Sequence, residues 1–244
     1  KNDHKETPAV RYALEKLTRD RSKYYELKQA INTLRGYAEN EHIKYMINYL
    51  RDYFATIEEK EKAIQQIRKW IDMGIQPVNI SVNQSKIVFY HENYISELKS
   101  LLKEYDVSAS YITLEVLEST VIEDFKLFNQ ILLEVKKLGF SVSLDDFGSG
   151  YSSLNVLSKL TIDELKIDRI FLHIDSDLEN KKTKWILEGI INIAKKSNIR
   201  VVVEGVESSK DDEFIRCLGA NVGQGYYYSR PLSIDAFNDL IHKK

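Results

Sequence analysis

Asp145 and Asp146 stand side by side at the end of an apolar run, Ser141-Val-Ser-Leu144, and Phe147-Gly-Ser-Gly150 follows at once. The run reads as a buried strand, where even one unpaired carboxylate costs several kcal/mol. Two in succession at a strand exit need a strong positive partner. A divalent metal is the simplest such partner, and the glycines leave room for a ligand to approach the backbone. The plainer reading is a strand-end pair that caps the next helix or pairs with Arg169. Other polar residues stand at the ends of apolar runs in the same way: Asn83, Glu115 with Glu118, Lys166, Glu204 with Glu207, and Gln224. Hard oxygen ligands of this kind select hard divalent cations.

These residues need elements to position them. Short apolar runs recur near residues 78–83, 111–118, 141–146, 164–172, 199–206 and 221–228. Between them lie stretches of helical period, such as Phe125, Leu127, Ile131, Leu132 and Val135, with Gly139 as a stop. Strands alternating with helices imply right-handed βαβ units and a parallel sheet, whose C-terminal edge is where loops build a site. Polar residues at six successive strand ends suit a closed barrel better than an open doubly wound sheet. The expected fold is therefore an α/β, TIM-like (β/α)8 barrel.

The N-terminal part reads differently. Residues 8–70 hold one glycine, Gly36, and no proline after Pro8. Helical periodicity runs through Ile43, Met46, Ile47, Leu50 and Phe54, and again through Ala63, Ile64, Ile67 and Trp70. Residues 24–31 fit either a strand or a helix. A closed barrel needs two strands from this region, so its first two strands are expected to be atypical. The expected division is a helical or linker segment over 1–23 and a barrel domain over 24–244, poorly patterned between 24 and 70.

Composition narrows the class. The chain has 244 residues, 43% hydrophobic and 30% charged, which describes a globular protein. A net charge of −2 gives no footprint for a nucleic acid polymer. One cysteine, Cys217, excludes an internal disulfide, and there is no signal-peptide pattern or apolar run near 18 residues, so a cytoplasmic location is expected. Cys217 lies in the helical run Phe214, Ile215, Leu218 and is expected in the core. The histidines are scattered without metal-ligand spacing.

Taken in order, Leu114-Glu-Val-Leu-Glu-Ser119, Asp145-Asp-Phe-Gly-Ser-Gly-Tyr-Ser-Ser-Leu154, Leu165-Lys-Ile-Asp-Arg169, Glu204-Gly-Val-Glu207 and Gln224-Gly-Tyr226 resemble the EAL-domain family. Val82-Asn-Gln-Ser85 is similar to the family's Asn-x-Ser strand end. The resemblance covers roughly residues 55–244. It implies a bacterial signalling domain that hydrolyses cyclic-di-GMP to linear pGpG, or a relative that binds the dinucleotide without cutting it. It further implies a TIM-like barrel holding two Mg²⁺ or Mn²⁺ ions. Carried over to this sequence, Asn83, Glu115 and Asp145 would ligate one ion, and Asp145 would bridge to a second beside Asp146 and Glu204. Glu204 would also act as general base or water orienter, and Lys166 would contact water or phosphate. Glu118, Glu207, Gln224, Asp168 and Arg169 would support the site or the ligand. The resemblance also implies a homodimer through the loop after Asp146, and sensory or cyclase domains alongside.

The sequence departs from the family in its first strands. The family's Glu-Ala-Leu ligand has no match; Glu39 is the nearest acid, one position out of register, and one position in a strand reverses the face. Leu117 replaces a usual threonine. A receptor that binds without cutting therefore stands as an alternative to a phosphodiesterase. Apart from the resemblance, three carboxylate positions and a lysine on barrel strand ends also suit enolase-type proton abstraction with Mg²⁺, and a protein-interaction module is a further alternative.

Overall fold

A computed structural model describes residues 41–121, 125–148, 157, 159–172 and 177–242, at some of these positions through the backbone alone. Residues 24–31, which fit either a strand or a helix, and Glu39, the nearest acid to the family's missing ligand, lie outside those residues. Residues 41–72 form a single helix, α1 (Glu41–Asp72), so a second family strand does not lie within them. The chain divides into two compact units, residues 1–59 and residues 60–244. The second unit carries all the described strands.

Those strands are β1 (Ile80–Gln84), β2 (Ile112–Leu117), β3 (Ser141–Phe147), β4 (Glu164–Ile167), β5 (Arg200–Glu204) and β6 (Val222–Gln224). They pair in parallel and in sequence order, β1 to β6. Between them run α2 (Lys86–Phe89), α3 (Tyr94–Tyr105), α4 (Glu118–Val121), α5 (Phe125–Lys137), α6 (Asp177–Lys196) and α7 (Ser209–Leu218), with α8 (Ile234–His242) after β6. The architecture is that of a TIM-like α/β barrel, with six of its parallel strands among the described residues.

Strand alternation gives the sheet two unlike faces. Val82, Leu114, Val116, Val142, Leu144, Leu165, Ile167, Val201 and Val203 share one face and are buried. Four of the helices send apolar stripes to the core: Ile64, Ile67 and Trp70 from α1, Tyr94 and Leu98 from α3, Phe128 and Leu132 from α5, Leu187 and Ile191 from α6. Phe89 stacks on Phe128 with ring centroids 5.0 Å apart. Burial of such side chains contributes about 1.5–3 kcal/mol each, which sets the register of the whole sheet. The opposite face carries Ser81, Asn83, Thr113, Glu115, Ser143, Asp145, Lys166 and Glu204.

Element ends explain where the expected strands ran too long. β4 stops at Ile167 rather than 172, because the Asp168 carboxylate accepts the Ile170 N–H at 2.8 Å and opens a 3-10 turn over Arg169–Phe171. β5 stops at Glu204 because Gly205 turns into the left-handed region, φ 72°. A side chain there would also collide with Arg169. Tyr226, Tyr227 and Tyr228 do not alternate across a strand. They lie in a turn held by Tyr227 N–H to the Val206 carbonyl at 3.0 Å, and all three are exposed. Cys217 is exposed, not in the core: α7 buries Ile215 and Leu218, and position 217 falls on another side. Among the described residues no helix is long and apolar enough to cross a membrane.

Candidate active site

The polar face concentrates its charges in the middle strands. Glu115 of β2 is level with Ser143 of β3, and Asp145 lies two residues further along that same side. Lys166 of β4 is level with Val202 of β5, two residues before Glu204. Lys166 therefore has an acid on each side. Its Nζ lies 2.7 Å from Glu204 Oε1, 3.1 Å from Asp145 Oδ1 and 3.3 Å from Glu115 Oε2. Lys166 is only 5% exposed, which makes these pairs strong and also mutually dependent. Removing one partner of such a pair leaves an uncompensated buried charge, at about 3–5 kcal/mol.

Asp146 reaches this group through a backbone irregularity. Consecutive strand residues face opposite sides, so a regular β3 would send Asp146 away from Asp145. Instead the β3–β4 register shifts between Leu144 and Phe147, and Asp146 adopts φ 57°. Aspartate tolerates that left-handed backbone better than most side chains. The Asp146 N–H also donates to Asp145 Oδ1 at 3.0 Å, which fixes the first carboxylate. As a result Asp145, Asp146 and Glu204 each bring a carboxylate oxygen to within 4.8 Å of the others. Four carboxylates, counting Glu115, thus face one ammonium.

The electrostatics record that imbalance. Burial pushes the Glu115 carboxyl above its ordinary range, with Lys166 opposing and Asp145 adding to the rise. Burial likewise raises Glu204 against the hydrogen bond from Lys166. Asp146 is raised by burial and then by the charges of Asp145 and Asp168. Burial alone would lower the Lys166 ammonium, but the hydrogen bond to Glu204 and the charges of Glu115, Asp145 and Glu204 outweigh it, and the net shift is upward. The lysine is firmly charged while its partners are short of positive charge.

The remaining expected residues fall around this centre at varying distance. Asn83 is exposed on β1 and level with Glu115. Gln224 ends β6 level with Glu204 and is exposed. Glu118 starts α4 and is buried; its Oε2 accepts the Gly148 N–H at 3.4 Å, tying α4 to the turn after the two aspartates. Asp168 caps its turn and adds negative charge near Asp146. Arg169 is exposed, and the positive partner of Asp145 is Lys166. Glu207 is exposed just before α7, where the cap is Ser208 with Asp211 in a reciprocal capping box. Ser85 is a helix cap as well, its hydroxyl accepting the Val88 N–H. Sequence reasoning missed Ser81, which hydrogen-bonds Glu115. Its spacing of two from Asn83 on one strand face was the available signal.

With this geometry in hand, comparison with known proteins is direct. The family model described as EAL domain matches residues 59–231. A bifunctional diguanylate cyclase/cyclic di-GMP phosphodiesterase, MucR of Pseudomonas aeruginosa, is 36% identical over 172 residues, covering 70% of this chain and 25% of MucR. The chain thus spans about a quarter of that relative's length. The solved structure of PaMucR phosphodiesterase in a c-di-GMP complex superposes with a TM-score of 0.64 at 34% identity, over 72% of this chain and 76% of that one. A manganese/cy-diGMP complex of Klebsiella pneumoniae BlrP1 gives a TM-score of 0.63 at 25% identity, over 73% of this chain and 45% of that one. The matched segment contains every described strand and every member of the carboxylate–lysine centre, and the chain belongs to the EAL-domain family.

Proposed function

We propose that this domain hydrolyses cyclic-di-GMP to linear pGpG in bacterial second-messenger signalling, with divalent metal held at the carboxylate–lysine centre. The observation that carries the reading is the gathering of Asp145, Asp146 and Glu204 oxygens within 4.8 Å, beside Glu115 and around a single ammonium. Such a set is all hard oxygen and short of positive charge, so its donors fit Mg²⁺ or Mn²⁺. Two ions suit the residues present. Asp145, Asp146 and Glu204 would hold one, and Asn83, Glu115 and Asp145 the other. Bound metal would supply Lewis-acid polarisation of the phosphodiester and a nucleophilic water at neutral pH.

The chain's own groups would do the rest. Glu204 would orient the water and accept its proton. Lys166 would place positive charge where the phosphoryl oxygens gain negative charge. Water would add to phosphorus, the bond from phosphorus to one ribose 3′ oxygen would break, and that oxygen would take up a proton as a free hydroxyl, so that the ring opens to a linear dinucleotide with a terminal 5′-phosphate. Gln224, Glu207, Glu118, Asp168 and Arg169 would line or brace the ligand. A barrel domain from residue 24, a linker over 1–23, a homodimer through the loop after Asp146, neighbouring sensory or cyclase domains and a cytoplasmic setting belong to the same proposal.

The test is chromatography of cyclic-di-GMP incubated with the protein and Mg²⁺, Mn²⁺ or EDTA. Metal-dependent appearance of pGpG is expected. Tight binding of the dinucleotide with no product under either metal would make the domain a receptor and overturn the hydrolase reading.

A further inference from the structure

We infer that Lys166 is a resident counter-ion that competes with divalent metal for the same carboxylates, so that the metal-free centre is held shut by its own lysine. The inference rests on the metal reading above and deepens it. An ammonium has three donors, and Lys166 has three carboxylates around its Nζ, at 2.7, 3.1 and 3.3 Å. Two of the three, Asp145 and Glu204, belong to the trio whose oxygens lie within 4.8 Å of one another. Lys166 is in mid-sheet with its side chain only 7% exposed, so the ammonium lies largely out of bulk water among these carboxylates. A divalent ion entering between Asp145 and Glu204 meets a like charge a few ångströms away. The ammonium can turn toward a phosphate only by giving up one of its carboxylates. Metal uptake and release of Lys166 for an anionic ligand are then one event.

The test measures Mn²⁺ binding by electron paramagnetic resonance and thermal stability in EDTA, for the wild type, Lys166→Met and Lys166→Arg. Neutral methionine keeps all but the last atom of the side chain's length and removes the charge. The Lys166→Met variant should bind Mn²⁺ roughly ten-fold tighter or more, because a repelling charge is gone, and should melt earlier than wild type in EDTA. Lys166→Arg, which keeps the charge, should stay near wild type in both. On the wild type, isotope-labelled lysine followed by NMR should show a protected Lys166 ammonium in EDTA that shifts or exchanges on adding Mg²⁺. This arm decides the matter if Lys166→Met fails to fold. Unchanged or weaker Mn²⁺ binding by folded Lys166→Met overturns the inference alone, as does a wild-type ammonium signal indifferent to Mg²⁺. A wild type that binds neither metal overturns the metal reading and this inference with it.

Discussion

The central strands of the sheet and its two end strands are built from similar residues but live in different surroundings. On the polar face, Glu115, Ser143, Asp145 and Lys166 of β2, β3 and β4 are all at most 9% exposed. On the same face Asn83 of β1 and Gln224 of β6 are exposed, and Val222 is 36% exposed. The charged groups in the centre, Glu115, Asp145 and Lys166, are paired with one another, and the Ser143 hydroxyl is buried without a hydrogen-bond partner, whereas the polar groups at the ends are open to water. This difference explains why the ion pairs and the upward carboxyl shifts concentrate between β2 and β5. It also separates residues that a sequence motif presents as equals.

The largest test of that contrast is Glu204→Gln. Its loss removes the base and one arm of the lysine's cage, and turnover of cyclic-di-GMP should fall by about 10²–10⁴-fold while dinucleotide binding, measured by calorimetry, stays close to wild type. Undiminished turnover would remove Glu204 from the chemistry. Next in size, Leu144→Ala deletes a fully buried side chain beside the two aspartates. Urea unfolding should show a loss of about 2–5 kcal/mol.

A third test uses pH. Glu115, Asp146 and Glu204 are all raised in the folded state. Their contribution to stability is present below the unfolded-chain value and is lost as pH rises through the raised folded values. Melting of the metal-free protein should therefore show a stability loss above the ordinary carboxyl range that is shallower in Glu204→Gln. An equal slope in both proteins would mean the cluster does not govern it. The smallest effect is expected at an end strand: Val222→Ala should change stability by no more than about 0.5–1 kcal/mol. A cost equal to that of Leu144→Ala would erase the distinction between centre and ends.

Much of this was legible in the chain itself. Six apolar runs gave six strands because burial against helices imposes a pattern that survives in single residues. The polar residues closing those runs mark one edge of a parallel sheet, which brought Asp145, Lys166 and Glu204 together in advance. What stayed hidden depended on backbone detail. Two adjacent aspartates can share a site only through the register shift at Asp146, and alternation alone predicts the opposite. Pairing with Arg169 was the plainer reading of the two aspartates, yet Arg169 is exposed in the turn capped by Asp168, and the role falls to Lys166 from the neighbouring strand. Cys217 and the tyrosines near 226 were misplaced because helix phase and strand length were each off by a residue or more. Ser81 was missed because its one signal, a spacing of two from Asn83 on a strand face, does not by itself mark a hydroxyl as part of a site.

The left-handed backbone at Asp146 also constrains which replacements that position can accept. A replacement there passes through two sieves, one of shape and one of charge. Asparagine is admitted by the first and stopped by the second; valine is stopped by both, since a branched side chain resists φ 57°. Glutamate keeps the charge but fits that backbone less readily than aspartate. Aspartate alone among the acids suits both sieves, so tolerance at this single residue reads out separately how much of the centre is geometry and how much is valence.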